Sequence, residues 1–132
     1  MLAMKIKDDA WPITIVLIKL KDLPDLFSII PGFSRKKVAT EIVSRLKQHL
    51  KGNDLIGRWN DSTFCVVLPR TPKNVSSIIE KRLAGVFSDP FRYGVTDEEQ
   101  VSLEPIVASG TGTSGKDFDK SIENVETQIK NR

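Results

Sequence analysis

The chain has 132 residues, 39% of them hydrophobic, with 20 basic and 17 acidic side chains and a formal net charge of +3. That length suits one domain around a single two-layer core, and a basic excess so small and dispersed reads as solvated surface rather than a nucleic-acid footprint. One Cys and one His leave zinc without a ligand set, and the longest apolar run, Ile13 to Ile18, is too short to insert into or span a bilayer.

Residues 1–11 are mixed, and Lys5-Ile6-Lys7-Asp8-Asp9 is polar enough for an N-terminal linker or flexible lead-in ahead of a domain at 12–132. Ile13 to Leu20 is apolar on both faces of a period-2 pattern, which predicts a central strand covered on two sides. After Pro24 a short apolar stretch, Leu26 to Ile30, ends at the Pro31-Gly32 turn. Ser34 then caps a predicted helix with Val38, Ile42, Val43, Leu46 and Leu50 on one face, stopped by Gly52-Asn53. Within that helix Arg35-Lys36-Lys37 gathers charge, but no ladder of Phe or Tyr accompanies it.

Two apolar runs, Leu55 to Trp59 and Phe64 to Leu68, flank Asn60-Asp61-Ser62-Thr63, and this pattern predicts a tight β-hairpin. Cys65 lies inside the second run, which fits a small buried thiol in a reducing compartment. The chain is therefore expected to be cytoplasmic, or the cytoplasmic part of a larger protein. Beyond Thr71-Pro72-Lys73-Asn74, a second helix carries Val75, Ile78, Ile79, Leu83 and Val86 on one stripe, and residues 88–99 read as a polar loop. Val101 to Ser109 is a further strand in which Pro105 favours an edge or a kink, and Thr113-Ser114-Gly115-Lys116-Asp117 leads into a last helix that buries Phe118, Ile122, Val125 and Ile129. Strand, helix, hairpin, helix, strand, helix predicts an α+β domain, with helices packed on a mainly antiparallel sheet.

Arg58-Trp59 and Phe64-Cys65-Val66-Val67-Leu68-Pro69 frame a segment that resembles the signature hairpin of GGDEF domains, the diguanylate cyclase family, in which Gly-Gly-Asp/Glu-Glu-Phe follows an Arg-aromatic pair. Here the signature reads Asn60-Asp61-Ser62-Thr63-Phe64. The resemblance extends over nearly the whole chain: Val101 to Gly112 is similar to the family's strand leading into a Ser-x-Gly turn, and Asn124 to Arg132 to its closing helix, with Lys130 at the phosphate-contacting lysine. It implies the palm-like, ferredoxin-related fold shared with nucleotide cyclases.

Active members join two GTP molecules, one per subunit of a dimer, through two divalent cations held by carboxylates at the end of the first strand and in the hairpin. The resemblance places Lys19 and Lys21 at the first-strand acids and Ser62 and Thr63 at the hairpin acids. A lysine there puts a positive charge where a dication should bind, a repulsion of several kcal/mol at intermediate dielectric. The guanine-recognising Asn and Asp correspond to Phe27 and Lys36, and the phosphate-approaching glycines to Asn60 and Asp61, which still tolerate a left-handed turn. The inhibitory Arg-x-x-Asp motif becomes Lys51-Gly52-Asn53-Asp54, which keeps a charge at Lys51 and the carboxylate of Asp54 but loses the planar fork.

The expected function is a catalytically inactive, degenerate GGDEF domain, acting as a regulatory or protein-interaction module in bacterial cyclic di-GMP signalling beside a protein partner or a neighbouring domain. It needs no metal and no cofactor, engages no nucleic acid, and allows a weak homodimer. An alternative is a metal-independent sensor of GTP or cyclic di-GMP, with Lys19, Lys21 and Lys36 in one cleft receiving phosphate. An active cyclase is the remote alternative, since neither strand end carries a carboxylate pair. Each residue also has a plainer role: solvated lysines, turn-forming Asn60 and Asp61, and Trp59 in core or edge packing.

Overall fold

A computed structural model describes residues 8–132. The lead-in residues 1–7 lie outside the described part, whereas residues 8–11 are attached to the fold. The Ala10 carbonyl accepts from Arg70 N at 2.7 Å, and Trp11 meets Phe118 edge to face at 5.6 Å.

The central sheet has four strands in the order β2-β3-β1-β6, all antiparallel: β1 (Ile13–Lys19), β2 (Leu55–Asn60), β3 (Thr63–Leu68) and β6 (Ile106–Gly112). β1 and β3 are central and almost wholly buried, because alternate residues enter two cores. Val16, Ile18, Phe64, Val66 and Leu68 face α2 (Arg35–Lys47) and α3 (Ser76–Ala84). Ile13, Ile15, Leu17, Cys65 and Val67 face α4 (Gly115–Lys130). Helices thus cover both sides, and the α+β fold of the nucleotide-cyclase type is the observed one.

The caps follow the sequence. Ser34 Oγ accepts from Lys37 N, and Ser114 Oγ from Asp117 N, while Asp117 Oδ2 accepts from Thr113 N at 2.9 Å. Those bonds to Thr113 favour the ionised carboxylate and hold the Asp117 pKa below the ordinary range. α4 also lies unusually close to β6: a Cβ on Gly112 would sit 2.5 Å from Phe118 Cα, and one on Gly110 2.6 Å from Val125 Cγ2. Ser109 and Gly110 therefore belong to the strand, which runs on to Gly112, and the expected Ser-x-Gly turn falls later, at Thr113-Ser114.

Four other expectations are corrected. The stretch after Pro24 is a helix, α1 (Leu23–Ile29), with the proline in its first turn, where it removes no helical bond. α2 ends at Lys47, ahead of Gly52-Asn53. Ile78 leaves the buried stripe of α3 and is 57% exposed. The polar loop contains β4 (Phe91–Arg92), paired with β5 (Gln100–Val101), and Phe91 is fully buried.

Phe91 packs on nearby Phe87, at 5.6 Å, and on a residue far away in sequence. Arg45 of α2 stacks its guanidinium 3.8 Å over the Phe91 ring and donates to the carbonyls of Val86, Asp89 and Pro90. Pro105 separates β5 from β6, whose other flank is the sheet edge, as its missing donor requires.

Candidate functional site

The hairpin and the end of β1 form one rim of the sheet. Lys19 pairs with Thr63, and Leu20 N donates to Ser62 O at 2.6 Å. The turn is Asp61-Ser62, closed by Asn60, whose Oδ1 accepts from Ser62 N at 3.0 Å and from Ser62 Oγ. Neither Asn60 nor Asp61 is left-handed. A bulge between Arg58 and Asn60 supplies the twist instead, and among the described residues the one non-glycine positive φ is at Arg70.

Arg58 braces this turn. Its guanidinium donates to the carbonyls of Asn60 and Asp61 at 2.8 and 2.7 Å and lies 4.6 Å over the Phe64 ring. Trp59 packs with the α4-side core. Thr63 is 1% exposed, while Asp61 points to solvent.

The lysines at the acid positions do not share a pocket. Lys19 is half-buried on the α4 side of the sheet, and its Nζ donates to the Ile129 carbonyl at 3.3 Å, in the last turn of α4. Lys130, the next residue, is exposed. Lys21 is exposed in the turn after β1, so it does not extend a strand face with Lys19. Lys36 is exposed in the first turn of α2, which packs on the other side. Strand alternation separates the groups, and the negative end of a helix draws the Lys19 ammonium inward.

This geometry does not fit a pair of divalent cations. At the positions of the hairpin acids the oxygen donors are the neutral side chains of Ser62 and Thr63, with Ser62 Oγ already engaged by Asn60, and the turn's one carboxylate, Asp61, points to solvent. The strand-end position holds a cation of its own, and among the described residues no three His, Cys, Asp or Glu side chains converge as metal ligands. Hard cations need carboxylates there.

Phe27, which the resemblance sets against the guanine-recognising Asn, joins a run of rings: Phe33 at 5.3 Å and, stacked on Phe33, Tyr93 at 5.2 Å. Arg35 lies 4.2 Å over Phe27. The aromatic neighbours that the local sequence of Arg35-Lys36-Lys37 lacks thus arrive from elsewhere in the chain, but they pack against the core.

Lys51 and Asp54 lie at the opposite end of the sheet, before β2. Asp54 Oδ2 accepts from Lys51 N at 2.8 Å, so the carboxylate shapes its own loop. Together they line a cleft of about 630 Å³ between the loop before β2, the end of β3 and α3. Arg70 and Arg82 also line it, and the sequence pattern had singled out neither. They belong to segments that only the fold brings beside Lys51.

No curated protein matches the sequence. The family model described as "Diguanylate cyclase, GGDEF domain" matches residues 36–131. Among solved structures, the diguanylate cyclase SiaD from Pseudomonas aeruginosa, in complex with its activator SiaC, is similar with a TM-score of 0.74 and 18% identity, over 88% of this chain and 44% of that one. The GGDEF domain of YfiN (TpbB) from P. aeruginosa gives 0.67 and 17%, over 87% and 67%. The FimX GGDEF domain, from the same organism, gives 0.68 and 13%, over 89% and 74%. This chain thus spans less than half of the SiaD chain. Identities this low establish the fold, and the sequence model, which covers most of the chain, establishes the kinship: the chain belongs to the GGDEF domain family of diguanylate cyclases.

Proposed function

We propose that this domain is a regulatory, protein-contacting GGDEF module of bacterial cyclic di-GMP signalling, without cyclase activity of its own, at work in the cytoplasm. The observation that carries the proposal is Lys19: a primary ammonium stands at the strand end and is tied to the Ile129 carbonyl. Replacing an anionic ligand by a cation reverses the electrostatics a Mg²⁺-triphosphate needs. The neutral Ser62 and Thr63 and the ring of Phe27 act in the same direction, because an apolar ring offers a base edge no hydrogen bonds.

SiaD was solved with an activator protein, and another similar structure is described as an EAL/GGDEF domain protein from M. capsulatus. Both support a role beside a protein partner or a further domain. The domain itself is proposed to run from residue 12, since β1 lies ahead of the matched residues 36–131.

The test is direct. The purified protein, incubated with GTP and either Mg²⁺ or Mn²⁺, should form no cyclic di-GMP by chromatography. Calorimetry with GTP, with and without EDTA, should show no heat at millimolar nucleotide. Product formation would overturn the proposal, and heat that survives EDTA would replace it with a metal-independent sensor.

A further inference from the structure

A regulatory module needs a contact surface, and the cleft at the Leu55 end of the sheet has the chemistry of one. Its lining is apolar at Leu50, Leu68, Val75 and Ile79, and Ile78 stands 57% exposed within it. Ile78 adjoins the half-buried Val75 and Ile79 on the cleft wall, so the three form an apolar patch open to solvent. The volume, about 630 Å³, lies within the range of occupied binding pockets.

The charges around this apolar lining are mostly positive. Lys51, Arg70 and Arg82 line the cleft, and Asp54 is the only carboxylate among the lining residues. Asp54 is engaged by its own loop through the Lys51 backbone, which leaves the side-chain charge of Lys51 unanswered. Among the described residues neither Lys51 nor Arg82 has an ion-pair partner, and Arg70 reaches only Asp9, at 3.4 Å between two exposed side chains. Exposed pairs of that kind hold little energy, so Arg70 is available to a stronger anion.

We propose that this cleft docks an acidic segment of a partner protein, an apolar side chain of the partner seated on Ile78 and Ile79 and its carboxylates facing Arg82, Arg70 and Lys51. The assignment rests on the regulatory reading above, and it adds the surface and the partner's chemistry. Arg70 and Arg82 grip a carboxylate or a phosphate alike, and what favours a peptide over a dinucleotide is Ile78, exposed in the cleft, which gives neither phosphate nor base a hydrogen bond. An aliphatic side chain, by contrast, gains from covering Ile78.

A random peptide library displayed against the purified domain tests this. Enriched sequences should combine Asp or Glu with at least one large apolar residue. Synthesised winners, titrated by fluorescence anisotropy, should bind about tenfold more weakly to Arg82→Glu and to Ile78→Ser, and more weakly in high salt. Lys51→Glu, at a third exposed position, serves should either variant lose its circular dichroism spectrum. Winners without acidic bias, no enrichment at all, or affinities unmoved by these substitutions would overturn the assignment. Displacement of the peptide by micromolar cyclic di-GMP would also overturn it and make the cleft a nucleotide site. Cyclase turnover measured on the same samples separates the two readings: product with intact peptide binding removes the inactive module and leaves the docking surface.

Discussion

At the Lys19 end of the sheet, Lys19, Asn60 and Arg58 are tied to neighbouring backbone groups, whereas at the Leu55 end the side chains of Lys51 and Arg82 face solvent. The first end has a lysine on a helix carbonyl, an asparagine closing the turn and an arginine on two turn carbonyls. The second has cations around an uncovered isoleucine. Both ends belong to the same strands, so the difference does not come from the backbone. A family hairpin can be kept as architecture while its site is filled from within, and an unfilled surface elsewhere then becomes the place to look for a ligand.

The comparison breaks most forcefully at Gly112. A side chain there meets the backbone of Phe118, so Gly112→Ala should unseat α4 and lower stability by about 1–3 kcal/mol, read by urea denaturation. Hydrogen exchange should rise first at the start of α4 and around Ile13, which pairs with Gly112, and less at the Lys19 bond to Ile129 in the last turn of α4. Equal rises at both ends would mean that the two are one cooperative unit.

Lys19→Met sharpens the contrast with a smaller effect. Losing the bond to Ile129 should lower stability by about 1 kcal/mol and speed exchange in the last turn of α4. Adding Mg²⁺ should leave the melting temperature of the wild-type protein unchanged. A rise of several degrees would show that a cation binds despite the lysine.

The smallest effect is expected at Asp117, where the cap is exposed. Its folded pKa is depressed by the bonds from Thr113. Its stabilising share is therefore present above the ordinary carboxylate value, near pH 4, and is lost as pH falls through the lower folded value. Asp117→Asn should melt at a lower temperature than wild type at neutral pH, and the gap should close toward about pH 2. A gap that persists in acid would assign the effect to packing.

Periodicity and capping residues made much of this fold legible. The hairpin register, the caps at Ser34 and Ser114 and the buried faces of α2 and α4 all depend on neighbours within a few positions. What escaped depends on distant groups. α1 is too short for its period to register, so the stretch after Pro24 carried no helical signal, although the first turn tolerates the proline. Phe91 owes its burial in part to Arg45, far away in the chain. At the site, the loss of acids could be read residue by residue, but grouping Lys19 with Lys36 required knowing which side of the sheet each occupies. The cleft was visible only through Lys51 and Asp54, because Arg70 and Arg82 come from other segments.

Arg45 carries one more consequence. A single guanidinium holds three carbonyls between Val86 and Pro90 and caps the Phe91 ring, while Lys37 on the Gly94 carbonyl and the Ser34 N–H on the Tyr93 carbonyl fasten the following residues to the start of the same helix. The first half of the excursion from Val86 to Val101 therefore opens with the release of one side chain, and the second half with the release of others. Exchange within residues 86–90 would then report on a single residue some forty positions upstream.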